Sequence, residues 1–317
     1  MLNFRREIAP AINTIMKIKR LKDIATQFNK ALRLLLRNDP MRLAGATAFF
    51  TTFALPPILL ILIQLFGLIF NRRNISRQLF NSLGNIIGHD SVREMILTLR
   101  AFRNLAANWA IAIGGFIFLV FVATTLFKVI QSSINQLWML RQSGRQSIKR
   151  ALGLRLKSFL VILFTGMLFL ASLMADSLKI VFGKYVTDLM PGMTVLFNGV
   201  LSILISVTTV WIWFTVLFRY LPYGRPHWKV AATGALLTSI LFNIGKYVLH
   251  WLLPGSNIGV VYGASASIVL VLLFVFYSSL IFYYGAAFTG VWSSFVNKPI
   301  QPDENAVFFT YRAAEDH

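Results

Sequence analysis

Long apolar runs alternate with short charged segments along most of this chain. Residues 44–70, 109–127 and 195–218 contain no Asp, Glu, Lys or Arg. Each run is close to the roughly 20 residues that a helix needs to cross a bilayer. The runs are continuous rather than alternating, and a helix satisfies its backbone hydrogen bonds internally in lipid. The pattern therefore predicts membrane helices rather than strands.

The predicted fold is an all-α polytopic membrane protein with six transmembrane helices. The stretch from Tyr247 to Asn297 contains no Asp, Glu, Lys or Arg and is too long for one span, and the turn residues Pro254 to Asn257 divide it. The six spans cover about residues 44–70, 109–130, 158–175, 195–218, 230–253 and 265–295. They form a transmembrane domain over residues 44–296, preceded by residues 1–43 and followed by a tail over residues 297–317.

The charges of the chain indicate its orientation. The chain holds 31 Lys and Arg against 11 Asp and Glu, a formal net charge of +20. With the N-terminus inside the cell, 21 of the 31 basic residues fall in inner segments and 8 in outer ones. Because cytoplasmic loops of membrane proteins carry the excess of Lys and Arg, both termini are predicted to be cytoplasmic. The excess of basic residues therefore indicates how the chain is oriented in the membrane. No nucleic-acid partner is expected.

The first 43 residues are predicted to form a basic amphipathic helix on the cytoplasmic side. Its apolar positions at three- and four-residue steps include Leu21, Ile24, Phe28, Leu32 and Leu35. Such a helix lies in the membrane interface, where basic residues attract anionic lipid headgroups. The candidate lipid-binding residues are Lys17, Lys19, Arg20 and Lys22. The alternative is a solvated basic tail packed on the cytoplasmic face.

Residues 71–108, between the first two spans, are predicted to form a helical hairpin outside the membrane. Apolar spacing indicates one short helix around Leu79 to Ile87 and a second around Val92 to Phe102. Ser91, with Glu94 three residues later, is a capping box that would begin the second helix. The hairpin would lie on the outer membrane surface or cover the mouth of a cavity.

Residues with recognisable catalytic or metal-binding chemistry are sparse. The chain has no cysteine, so disulfides, thiol catalysis and thiolate metal sites are excluded. Its four histidines lie far apart in the sequence, without HExxH or similar spacing, and no phosphate-binding glycine loop occurs. No catalytic residue, metal site or cofactor is therefore predicted.

Polar residues inside the predicted spans are the remaining candidates for function, because they are costly in a bilayer. They form two sets at helical spacing: Lys128, Gln131 and Asn135 on the second span, and Asn243, Lys246 and His250 on the fifth. Pro56 and Pro57 predict a helix break in the first span, whose freed carbonyls would line a cavity. No acidic residue lies in any span, so a cavity charged only by two lysines would favour an anionic solute or lipid headgroup.

Two plainer interpretations stand beside this one. Lys128 lies near the cytoplasmic end of its span and Lys246 near the outer end, so each could extend its ammonium group to its own interface. The Asn and Gln side chains could serve only as hydrogen bonds between helices. The sequence leaves these alternatives open.

Six short motifs stand in order along the chain. They are Ala44–Phe50 followed by Pro56, Ser133–Trp138, Leu221-Pro222, Gly234–Leu236, Tyr262–Ala264 and Tyr284–Phe288. In order and spacing they resemble signature positions of the YihY/BrkB family of bacterial inner-membrane proteins, over about residues 30–295. The resemblance implies six membrane helices with both termini cytoplasmic, in the bacterial inner membrane. Many members have Glu after the Gly-Ala of the last helix, where this chain has Ala287, so no mechanism based on that carboxylate is carried over.

Members of this family carry two labels, virulence factor and ribonuclease BN. Metal-dependent RNA cleavage needs clustered carboxylates or histidines, and the predicted cytoplasmic acids lie near the termini in no ligand pattern. The chain is therefore not predicted to be an enzyme. The leading hypothesis is a transporter- or permease-like protein for an anionic solute or lipid. The alternative is a non-transporting membrane scaffold that binds lipid or partner proteins, and an oligomer is compatible with either.

Overall fold

Helices make up most of the protein in a computed structural model, which describes residues 23–66, 72–87, 109–143, 194–252, 266–304 and 306–309, with single positions between 92 and 100 and between 153 and 171. The described part of helix α1 covers residues 23–36. The helices that follow are α2 (Pro40–Phe66), α3 (Arg72–Ile87), α4 (Trp109–Leu137), α5 (Thr194–Tyr220), α6 (Trp228–Leu252) and α7 (Ala266–Phe295). The strands are β1 (Leu140–Gln142), β2 (Gly224–Arg225), β3 (Gln301–Pro302) and β4 (Ala306–Phe308).

Five of the predicted spans coincide with helices of the structure, namely α2 and α4 to α7. Their ends agree within about one helical turn, except that α4 continues to Leu137 instead of ending near residue 130. By length and composition, the described stretches Gly199–Tyr220 and Ile268–Phe295 are long and apolar enough to cross a membrane. The prediction of a mainly helical fold is confirmed. The predicted span over residues 158–175 lies outside the described residues apart from single positions.

Helix α7 lies at the centre of the packing and contacts α2, α4 and α6. Tyr283, Ala286 and Ala287 on this helix are fully buried. The ring of Phe282 lies 5.5 Å from that of Phe214 and 5.3 Å from that of Phe218, which joins α7 to α5. Small residues and aromatic rings thus interlock along α7. Membrane helices associate through such packing because lipid gives them little hydrophobic drive toward each other.

Helices α6 and α7 are antiparallel and approach closely at two Gly–Thr pairs. Thr289 lies against Gly234 and Thr238 against Gly285, so closely that a Cβ atom on either glycine would overlap the threonine. Thr238 donates its hydroxyl to Gly234 O at 2.7 Å, and Thr289 donates to Gly285 O at 2.8 Å. Each hydroxyl is therefore satisfied by its own helix, and the glycines permit the close approach typical of small-residue helix crossings.

Helix α1 packs one face against α7. Ala31 and Leu35 are buried. The ring of Phe28 lies 4.9 Å from that of Phe288, and the Tyr284 hydroxyl donates to Phe28 O at 3.3 Å. This part of the chain therefore matches the interpretation of a basic segment packed on the bundle. The predicted lipid-binding residues Lys17, Lys19, Arg20 and Lys22 lie outside the described residues.

Helix α2 is continuous, so the helix break predicted at Pro56 and Pro57 is wrong. A proline removes one backbone N–H and its hydrogen bond, but membrane helices tolerate this where flanking turns and neighbouring groups hold the backbone. Pro56 and Pro57 have no N–H to donate to the carbonyl oxygens of Thr52 and Phe53, and the helix continues past both positions. The two prolines lie within a helix that starts before them and ends after them.

Helix α3, the first part of the predicted hairpin, packs against α2 and α7. Leu79 of α3 is buried together with Leu59 of α2 and Val271 of α7. The predicted second helix of the hairpin lies outside the described residues apart from single positions. Helix α3, the described part of the hairpin, therefore joins the bundle through apolar contacts.

Short strands within the described residues are the main departure from the predicted all-α fold. Strand β1 pairs antiparallel with β4, and β2 pairs antiparallel with β3. The segment after α7 therefore pairs both with the loop that follows α4 and with the loop between α5 and α6. Arg225 Nε lies 2.6 Å from Asp303 Oδ1, and Phe309 N donates to Met139 O at 2.9 Å. These segments form one layer at the end of the bundle, called the strand cap (residues 138–143, 221–227, 296–304 and 306–309).

Candidate functional site

The polar residues predicted to share one intramembrane face divide into two clusters. Gln131 and Asn135 are buried near the end of α4, whereas Lys128 on the same helix is exposed. Asn243 and Lys246 lie on α6 and bond to α5 instead. Lys128 belongs to neither cluster, so the predicted set does not form one site. The exposure of Lys128 agrees with the plainer interpretation that its ammonium group reaches an interface.

The first cluster, Gln131 and Asn135, holds the connection between α5 and α6. Gln131 donates from Nε2 to Leu221 O, and Asn135 Oδ1 accepts from Tyr223 N at 2.8 Å. These loop groups have no helical partner, so side chains of α4 satisfy them. Burial raises the pKa of the Tyr223 phenol, whose hydroxyl stays protonated and lies 3.4 Å from Gln142 Oε1. The two amides therefore have a structural role in the strand cap.

Other buried polar groups join three helices beside this cluster. Thr47 of α2 and Ser133 of α4 both bond to the hydroxyl of Tyr283 on α7. Trp138 Nε1 donates to Ala286 O at 2.8 Å. The sequence motifs contain Thr47, Ser133 and Trp138, but these residues were not predicted to form a site, because none is charged and no helical spacing links the three helices. Ala287, next to Ala286, is also fully buried, so this position belongs to the same core.

The second cluster, called the lysine cluster, consists of Lys246, Asn243 and Ser206. Lys246 Nζ donates to Ser206 Oγ at 3.3 Å, and Ser206 Oγ donates to Asn243 Oδ1 at 2.7 Å. Asn243 Nδ2 donates to Ser239 O at 2.9 Å, which sets the orientation of the amide. A continuous chain of hydrogen bonds thus leads from the backbone of α6 through α5 to the ammonium group. The side chain of His250, one turn further along α6, lies outside the description.

The positive charge of Lys246 is only partly compensated. An ammonium group has three donors, and Ser206 accepts from one of them. The ammonium lies 5.6 Å from the ring centre of Tyr247, within the range of a cation–π contact. Among the described residues, no carboxylate lies within ion-pair distance of Lys246. The half-buried ammonium can therefore hold a phosphate or carboxylate at its remaining donors.

The two clusters lie toward opposite ends of the bundle. Lys246 follows Trp228 by 18 positions in α6, which places it roughly 27 Å along the helix from the strand cap. Gln131 and Asn135 contact the cap itself. In the part of the chain that the structure describes, no group of three or more His, Asp or Glu residues could hold a metal ion. That the protein is not an enzyme stays a prediction.

Long apolar helices that lock together through buried polar bonds define an integral membrane protein, and a half-buried lysine is its most distinctive group. A family model described as virulence factor BrkB matches residues 31–306. The chain belongs to this family, and the resemblance seen in its short motifs is confirmed.

Three relatives of the chain carry a general name. The chain is similar to a UPF0761 membrane protein of Pseudomonas paraeruginosa, 28% identical over 256 residues that cover 77% of this chain and 57% of the relative. A second, from Saccharophagus degradans, is 27% identical with 77% and 54% coverage. A third, from Pseudoalteromonas translucida, is 25% identical with 78% and 79% coverage. The chain thus spans little more than half the length of the first two. No solved structure matches the chain.

Proposed function

We propose that the protein is a permease-like inner-membrane protein that binds an anionic lipid headgroup or solute at Lys246 and carries it across the bilayer. The observation that carries this proposal is the half-buried ammonium of Lys246, held by Ser206 with no carboxylate within ion-pair distance among the described residues. A charge within a membrane helix is costly unless something compensates it. An anionic substrate supplies the missing counter-charge.

The proposal includes a topology. Six helices cross the inner membrane, both termini and the strand cap lie in the cytoplasm, and residues 71–108 lie outside. The basic bias of the predicted inner segments, 21 of 31, supports this orientation. With Trp228 at the inner interface, Lys246 lies roughly 27 Å away, near the outer end of a hydrocarbon core about 30 Å thick. The lysine cluster then faces anions at the outer leaflet.

Movement of a labelled lipid in vesicles tests the proposal. Purified full-length protein is placed in vesicles with a trace of NBD-labelled phosphatidylglycerol, and dithionite measures how fast label leaves the protected leaflet. NBD-labelled phosphatidylcholine serves as the neutral lipid. Parallel vesicles loaded with radiolabelled glutamate or inorganic phosphate distinguish a soluble anion from a lipid.

Variants of one lysine connect the movement to the lysine cluster. Protein-free vesicles give the background rate of movement. Lys246→Gln should reduce movement of the anion to this background rate. Lys246→Arg should retain part of the increase, because the guanidinium keeps the charge. Lys128→Gln is the matched control, since Lys128 is exposed and outside both clusters. Equal movement with Lys246→Gln and the unchanged protein would show that the ammonium only reaches its own interface.

The scaffold is the second candidate function, and the strand cap favours it. Gln131 and Asn135 bond to the connection at Leu221 and Tyr223. These polar groups would then hold the strand cap in a fixed shape to which a partner could bind. A scaffold moves none of the labelled anions. Cellular function would then depend on residues 1–35 and on the cap, and Lys246→Gln would have no effect on it.

A further inference from the structure

An apolar groove of about 380 Å³ opens between α5 and α6 beside the strand cap. Its lining includes Trp211, Ile212, Thr215, Val216, Trp228 and Lys229. The volume lies within the range of roughly 300–1,000 Å³ that ligand pockets occupy. The groove is therefore large enough to hold part of a small amphiphilic molecule.

Two polar side chains in the walls of this groove are already hydrogen-bonded within the protein. Trp211 Nε1 donates to Ala232 O at 2.8 Å, across from α5 to α6. Thr215 Oγ1 donates to Trp211 O at 2.7 Å within α5. The bonds fix the walls and leave hydrocarbon facing the groove. Such a lining suits an acyl chain better than a polar solute.

The rim of the groove combines basic and aromatic groups. Lys229 is exposed, and among the described residues no carboxylate lies within ion-pair distance of it. The guanidinium carbon of Arg219 lies 5.5 Å from the ring centre of Trp228, and the ring of Tyr220 lies 5.9 Å from the same indole. Trp, Tyr and basic residues gather at the level of lipid headgroups in membrane proteins. The rim therefore suits a phosphate above an apolar tail.

We propose that an anionic phospholipid of the bilayer binds in this groove, with an acyl chain along Ile212 and Val216 and its phosphate at Lys229. In a zwitterionic headgroup such as phosphocholine the quaternary ammonium already offsets the phosphate, so Lys229 would gain no net counter-charge. A soluble anion would leave the apolar walls uncovered. Lys229 and Lys246 are 17 positions apart on α6, roughly 26 Å along the helix. Binding here is therefore separate from movement at the lysine cluster, and either can hold without the other.

Native mass spectrometry of the full-length protein in neutral detergent tests this site. The protein is titrated with phosphatidylglycerol or with phosphatidylcholine of the same acyl chains. Lys229→Gln should weaken phosphatidylglycerol binding about fivefold, the effect of one basic residue near anionic lipid, and leave phosphatidylcholine unchanged. Lys298→Gln, an exposed lysine of the strand cap, is the matched control and should change neither.

A second pair of variants tests the apolar walls. Val216→Phe fills the groove and should weaken both lipids, whereas Val200→Phe, at an exposed position on the same helix outside the lining, should not. Equal losses with Lys229→Gln and Lys298→Gln would overturn the proposal, because binding would then follow total charge. If Val216→Phe converts a dimer to a monomer and leaves lipid binding unchanged, a second copy fills the groove and the proposal is wrong. If Val216→Phe does not fold, the proposal is tested by comparing phosphatidylglycerol binding of Lys229→Gln with that of Lys298→Gln.

Discussion

Thr238 of α6 packs directly onto the backbone of Gly285 in α7, and its side chain occupies the place of any Cβ atom on residue 285. Thr289 and Gly234 repeat the contact with the helices exchanged. In both helices the glycine precedes its threonine by four positions, which is one helical turn. The two pairs together fix the distance and the register of α6 against α7.

Gly285→Ala should therefore destabilise the protein. The added methyl group overlaps Thr238, and overpacking of this kind costs about 1–3 kcal/mol. Thermal unfolding in detergent, followed by tryptophan fluorescence, should show a lower midpoint. Gly45→Ala is the matched control, because a Cβ atom there meets nothing within 4 Å. Thr238→Ala added to Gly285→Ala should restore part of the loss, and equal midpoints for the two alanine variants would contradict the prediction.

Asn135→Ala should loosen the connection between α5 and α6. The change leaves the half-buried Tyr223 amide without its acceptor, and the cost should lie at or below the lower end of the about 1–3 kcal/mol of a fully buried unpaired donor. Hydrogen exchange of the Tyr223 amide should become faster. Ser132→Ala is the control, because Ser132 is an exposed neighbour that bonds within its own helix. Unchanged exchange in Asn135→Ala would mean that the amide does not hold the loop.

Asp303→Asn should open the strand cap locally and leave the bundle intact. The Arg225–Asp303 pair is partly exposed, so its loss should change global stability by less than about 1 kcal/mol. Hydrogen exchange in residues 301–309 should nevertheless rise, because the pair lies next to the pairing of β2 with β3. The exchanged pair Arg225→Asp with Asp303→Arg should recover protection. A large fall in the unfolding midpoint would contradict this local role.

Single cysteines should reveal the topology, because the chain has none of its own. Asp39, Arg77 and Lys298 are exposed positions in the α1–α2 turn, in α3 and in the strand cap. In intact cells, a membrane-impermeant maleimide should label Arg77→Cys only. Asp39→Cys and Lys298→Cys should react once the membrane is permeabilised. Labelling of Lys298→Cys in intact cells would place the strand cap outside and overturn the orientation.

The helices were largely predictable because their apolar runs report the thickness of a bilayer. Hydropathy alone ended α4 too early, near residue 130, although helical spacing had placed Gln131 and Asn135 on the same helix. Ile134 and Leu137 are nevertheless buried there, so the helix continues where hydropathy falls. The strands were not predictable, because segments of two or three residues show no alternation. They are stabilised by partners far away in the sequence.

The site was predictable only in part. The spacing placed Lys128, Gln131 and Asn135 on one face, but the α5–α6 connection covers only the latter two. Ser206 carried no signal as a single serine in an apolar run. It could have been found by counting outward from the turn near Gly224, because two antiparallel helices pair positions equally far from their connection. That count pairs Ser206 with Asn243, as the structure does.

The pairing of the strand cap sets the order in which this end of the molecule can be completed. Strand β1 follows α4, yet its partner β4 lies beyond α7. A ribosome therefore releases β1 and β2 long before β4 and β3 are synthesised. Both strands lack these partners while the later helices are made. The cap can therefore close only after all the preceding helices have been synthesised. A nascent chain stalled before residue 301 would leave two open strand edges for a chaperone or a protease to recognise.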